Sequence, residues 1–285
     1  MGLSYLVTLA VLAAAVTHAV WNAIMHGIKD QAVAFGLLGV GGAAAAVPVV
    51  CLAPLPRAAS WPYLLGSVAI HVLYNLLLMR AYRLGEFGQV YPLARGTSPL
   101  VVTVLARVFV RERPTVPELA GVVVVSAGLG SLVVAGGRGG VLRAKAAKAA
   151  LLAAFGTGLT IAGYTTVDGV GVRASASPAG YIGWLILLES LGVPLYLVIR
   201  RRTALRHAPV RILAAGLTAG ALSLVAYGLV LWAQTRGPLA PIAALRETSV
   251  IFGAIIATVV FREPFGRAKI GSTILVAAGI FLLNV

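Results

Sequence analysis

The chain has 285 residues, of which 60% are hydrophobic and 11% charged, with a mean hydropathy of +0.97 and a formal net charge of +15. Soluble globules keep their apolar share near half and about a quarter of their residues charged, so the composition excludes that class and defines an integral membrane protein. The basic residues fall in short spacers between apolar runs, which excludes a phosphate-tracking face and reads as membrane orientation.

Cutting wherever charge, proline or glycine interrupts a run of about 18 apolar residues predicts ten spans. They lie at 3–25, 32–53, 62–83, 87–109, 116–135, 149–168, 178–199, 211–234, 238–261 and 268–284. The first run, opening on the uncharged MGLSYL, is too long and too closely followed by others for a cleaved signal peptide. Runs of this length specify helices rather than the ten-residue alternation of a barrel. The single cysteine, Cys51, excludes an internal disulfide and a cysteine metal cluster.

The chain contains itself twice. At an offset of 151, Arg95 pairs with Arg246, Thr97 with Thr248, Ser98 with Ser249, Arg111 with Arg262, Glu112 with Glu263 and Gly128 with Gly279. Residues 1–135 form a first five-helix repeat, 136–148 a basic linker and 149–285 a second repeat. An odd number of spans per half makes homologous halves enter the membrane with opposite polarity. The expected fold is therefore all-α, ten transmembrane helices in two inverted five-helix repeats, an arrangement of transporters.

Of the 23 lysines and arginines, Arg95 and Arg246 lie inside spans, 15 fall in loops opposite the N-terminus and 6 on the N-terminal side. The positive-inside rule then places both termini outside the cytoplasm and the loops 136–148 and 200–211 within it. Glycines punctuate most spans, among them Gly39, Gly41, Gly42, Gly121, Gly128, Gly130, Gly271 and Gly279, as close helix packing in lipid requires.

Charge at membrane depth costs at least roughly 2.5–3.5 kcal/mol and marks candidate sites. In YPLARGTSPL, Pro92 and Pro99 flank Arg95; in GPLAPIAALRETSV, Pro238 and Pro241 precede Arg246 and Glu247. Broken helices beside a midplane charge are expected at both places. The two guanidiniums either grip an anionic group through forked hydrogen bonds or are neutralised by Glu247 or Asp168, and substrate contact is the favoured reading.

Spacings of four put His18 with Asn22, near Trp21, and Tyr164 with Asp168, each on one helix face toward a cavity. Asp168 serves either as a proton-coupling carboxylate or, preferably, as an arginine's counter-ion. Glu189, in the seventh span, either pairs with an arginine or takes up a proton. His71, Tyr74 and Asn75 in the third span and Tyr227, Trp232 and Gln234 in the eighth read first as interhelical contacts or interface aromatics, and all six as secondary lining candidates.

The segments HAVWNAIMHGIK, YPLARGTSPL with FVRERP, YTTVDGVGVR and PIAALRETSVIFGAIIATVVFREPFGR resemble the drug/metabolite transporter superfamily with two EamA-type repeats. The resemblance covers essentially the whole chain. It implies a cavity lined from both halves and alternating-access transport of a small metabolite. The expected solute is anionic or zwitterionic, and the expected site is the lipid bilayer of the plasma membrane, as a monomer or homodimer. No cofactor, metal or nucleic acid is expected. A membrane-embedded enzyme is the alternative, but no HExxH, Gly-x-Ser-x-Gly or Walker A sequence is present.

Overall fold

The computed structural model describes residues 3–28, 30–84, 87–136, 145–200, 209–260, 262 and 266–283. Most basic residues of 136–148 and 200–211, together with Lys29 and Glu263, lie outside the described residues, so the orientation count is not addressed by it. In chain order the helices are α1 (Tyr5–His26), α2 (Gln31–Leu52), α3 (Trp61–Leu84), α4 (Phe87–Leu105) and α5 (Val116–Gly136). Then come α6 (Lys145–Ala174), α7 (Pro178–Glu189), α8 (Gly192–Arg200), α9 (Val210–Gln234), α10 (Leu239–Arg246), α11 (Ser249–Val259) and α12 (Arg267–Leu283). Among the described residues, 8 apolar segments are long enough to cross a membrane, and 116–131 and 270–283 are shorter apolar helices.

Polarity is inverted relative to a soluble protein. Leu52, Phe109 and Phe281 are 87%, 72% and 70% exposed, whereas Arg95, Asp168, Arg246 and Glu247 are buried. Only a lipid surround makes that arrangement stable.

Local chemistry sets the helix starts. Asp30 accepts the backbone N–H groups of Ala32 and Val33 at the head of α2. Thr115 and Glu118 form a reciprocal capping box before α5. Ser177 caps α7, with Pro178 in the first turn where its missing N–H costs nothing.

The spans do not break where the prolines suggested. Helix α4 runs uninterrupted through Pro92 and Pro99, and Pro241 sits in the first turn of α10, where an absent N–H breaks no bond. The ninth span instead breaks at Glu247 and Thr248. There the N–H groups of Glu247 and Thr248 reach back only three residues, to Ala244 and Leu245, and those of Val250 and Ile251 do the same. The Thr248 hydroxyl adds a bond to the Leu245 carbonyl at 2.8 Å, and the helix tightens locally into the 3₁₀ pattern. The seventh span also breaks, between Glu189 and Gly192.

Glycines permit three close crossings: α2 with α9, α2 with the break after α7, and α5 with α12. A Cβ on Gly41 would fall 2.4 Å from the Leu217 carbonyl, and one on Gly121 2.8 Å from that of Gly279. A Cβ on Gly130 or Gly271 would meet nothing within 4 Å among the described residues, so no close crossing requires glycine at those two.

Candidate functional site

A cavity of about 940 Å³, counting the space at its mouth, lies at the centre of the bundle. Its wall takes Ala14, His18 and Trp21 from α1, His71, Tyr74 and Asn75 from α3, Arg95 from α4 and Tyr164 from α6. Glu189 reaches it from the end of α7, Tyr227 from α9 and Arg246 from the end of α10. Eight of the eleven predicted site residues thus meet on one surface; Asn22, Asp168 and Glu247 do not.

Each of those three has a structural reason. Asn22 donates its side-chain N–H to the His18 carbonyl at 2.8 Å, so its amide is spent on its own helix. Among the described residues Asp168 has no arginine within ion-pair distance. It receives hydrogen bonds from the hydroxyls of Tyr181, at 3.0 Å, and Tyr227, and is fully buried. Glu247 lies one layer behind the wall and is also fully buried.

Glu247 is shared by both arginines. Its Oε2 lies 3.4 Å from Arg95 Nε, and its Oε1 lies 3.4 Å from Arg95 Nη1 and 3.6 Å from Arg246 Nη2. Arg95 also donates to Ser249 Oγ at 3.0 Å. Arg246 is held more loosely: 3.6 Å exceeds hydrogen-bond reach, and its Nε and Nη2 have no hydrogen-bond partner among the described residues. Arg95 is thus paired within the bundle, while Arg246 presents unsatisfied donors at the cavity wall among the described residues. At the 151-residue offset read from the sequence, the position matching Glu247 is Gly96, where a Cβ would lie 3.0 Å from Leu129 Cβ, so a side chain there would be tightly packed.

Aromatic rings line the wall opposite. Tyr164 stacks on His71 with centroids 3.9 Å apart and meets Tyr74 and Tyr227 edge-on at 5.7 and 5.8 Å. His18 meets Trp21 edge-on at 4.8 Å, and Trp21 Nε1 is buried without a hydrogen-bond partner among the described residues. His71, one of the secondary lining candidates, is a wall residue and also contacts another helix, with Nε2 3.2 Å from Glu189 Oε2. Its spacing to Tyr74 and Asn75, three and four residues on, is the signal that puts all three on one face.

One end of the cavity is tied shut. Arg173, at the end of α6, lies 3.3 Å from Glu112 and donates to the carbonyls of Gln234 and Gly237, both at 2.8 Å. Glu112 in turn accepts the Leu239 N–H that opens α10, at 2.8 and 3.1 Å. Leu3 packs on Gly237, so this cluster shares an end with the start of α1. The cavity extends the other way, past Phe35 and Leu38 near the start of α2 and Val193 in α8.

Lipid-facing apolar helices around a charged central cavity define a multi-pass membrane protein. Residues 148–285 match the model of the EamA-like transporter family, and the chain carries an EamA-like transporter family domain there, in keeping with the drug/metabolite transporter superfamily. Among 29 solved chains that match, one described as "Crystal structure of protein" is 17% identical, with a TM-score of 0.73 over 97% of this chain and 95% of that one. At that identity the likeness shows the fold alone. No curated protein matches the chain.

Proposed function

We propose that the protein is a secondary-active transporter of the cytoplasmic membrane that carries a small anionic or zwitterionic metabolite by alternating access between two inverted five-helix repeats. The observation that carries the anionic part is Arg246, a 4% exposed residue at the cavity whose Nε and Nη2 have no hydrogen-bond partner among the described residues and which shares one carboxylate with Arg95. Each buried N–H left unsatisfied costs roughly 1–3 kcal/mol, and a carboxylate, phosphate or phosphonate removes that cost with a charge-assisted fork.

The inverted repeat is supported by swapped pairings. Helix α3 packs on α6 as α9 packs on α1, and α5 packs on α12. Gly121 meets Gly279 while Gly128 accepts from Ser272 at 2.6 Å; at the offset of 151 these are one contact with its partners exchanged. A two-fold relation requires such self-complementarity. Arg111 and Arg262, also equivalent, both take left-handed backbone conformations, with φ of 59° and 57°. With the basic loops in the cytoplasm, the cavity extends inward and the Glu112–Arg173 cluster closes the outer end.

Purified protein in liposomes, loaded with a panel of small carboxylates, phosphonates and amino acids, tests the reading. Exchange of an unmodified anionic or zwitterionic solute is expected. Release of a chemically altered product would establish the embedded enzyme instead.

A further inference from the structure

The pairing of His71 with Glu189 has its own logic. His71 Nδ1 lies 3.0 Å from the carbonyl oxygen of Ser67 and 3.1 Å from its Oγ. A carbonyl only accepts, so Nδ1 carries the hydrogen, and in the neutral ring Nε2 offers a lone pair. That lone pair stands 3.2 Å from Glu189 Oε2, another acceptor when ionised. Two acceptors at this separation repel, and one proton between them turns repulsion into attraction. Glu189 Oε2 has no partner in hydrogen-bond geometry among the described residues.

We infer that Glu189 and His71 together hold one exchangeable proton and form a proton-binding site on the cavity wall. The proton sits either on Oε2, directed at Nε2, or on Nε2, directed at the carboxylate. It arrives from cavity water and leaves to it, and no other bond forms or breaks.

The groups facing the pair are Tyr164 and Asp168 from α6, Tyr227 from α9, Tyr74 beside His71 on α3 and, at longer range, Arg246 from α10. Tyr227 meets His71 edge-on and donates its hydroxyl to Asp168, which joins the site to a second carboxylate through one side chain. Loading the proton adds one positive charge to the cavity. If the solute is an anion, proton and solute raise each other's affinity by the same factor. That coupling rests on the proposed function; the proton site does not.

The test counts protons on the full chain in nanodiscs without any solute, so its outcome is independent of the anion reading. A jump from about pH 9 to about pH 5, a window spanning histidine titration, is followed with an indicator dye for the wild type and for Glu189→Gln/His71→Asn. The wild type is expected to take up one more proton per chain. Equal uptake would overturn the proposal. Should the double variant fail to fold, infrared difference spectra of the same jump in wild type and Glu189→Asp decide. A carboxyl band that moves with the shortened side chain supports the site, and identical spectra contradict it.

Discussion

Arg173 and Glu112 lie 3.3 Å apart at the end of the bundle from which the cavity extends away, and together they tie the end of α4 to the ends of α6 and α9 and the start of α10. Their side chains are 31% and 14% exposed, so solvent screening holds the ion pair itself to about 1 kcal/mol. The bonds to backbone groups make the cluster a clasp.

Glu112→Gln is expected to loosen that clasp, and an impermeant thiol reagent should label a cysteine at Gly237 several-fold faster than in the otherwise unchanged protein. Charge reversal, Glu112→Arg with Arg173→Glu, should not restore slow labelling. An arginine cannot accept the Leu239 N–H, and a glutamate cannot donate to the Gln234 and Gly237 carbonyls. Full restoration by the swap would reduce the cluster to a simple ion pair.

Gly121 and Gly279 set the approach of α5 to α12. Alanine at Gly279 would place a Cβ 2.7 Å from Val125 Cγ2 and 2.8 Å from the Gly121 carbonyl, an overpacking that costs about 1–3 kcal/mol. Gly130→Ala meets nothing within 4 Å and gains up to about 1 kcal/mol of helix propensity. Melting in detergent should therefore move in opposite directions for the two variants. Equal, small changes would show that the crossing does not depend on small residues.

Asp168 accepts from two tyrosine hydroxyls, one of them that of the wall residue Tyr227. Asp168→Asn exchanges one acceptor oxygen for a donor, so the loss should be about 1.5–3 kcal/mol of stability, the size of a hydrogen bond to a charged group. Tyr227→Phe in the Asp168→Asn background should then cost less than in the wild type. Strict additivity of the two in thermal or denaturant unfolding would mean that the hydroxyl and the carboxylate do not interact.

Much of this architecture was legible in the sequence because run length and the 151-residue offset survive without any knowledge of packing. Arg95, Arg246, Tyr164 and Glu189 were visible because charge and polarity at membrane depth are costly and therefore few. The helix breaks were less visible. Pro92 and Pro99 lie in a continuous helix, and the break at Glu247–Thr248 arises from three-residue hydrogen bonds that no glycine or proline signals. Pairings were harder still. Whether Glu247 or Asp168 meets Arg95 depends on how helices far apart in sequence are rotated, which periodicity within one helix does not record. The contact of His71 with Glu189 was hidden for the same reason, since Glu189 reaches it from another helix.

The most direct measurement compares Arg246→Lys with Arg95→Lys, using the solute found in the liposome panel and reading binding and melting for each. Lysine keeps the charge and loses the fork. At Arg246, whose Nε and Nη2 have no hydrogen-bond partner among the described residues, binding should weaken by about 1.5–3 kcal/mol while the melting temperature barely moves. At Arg95, held by Glu247 and Ser249, stability should fall as well. If Arg246→Lys binds the solute normally yet unfolds far more easily, Arg246 is an internal lock and the anion site is contradicted.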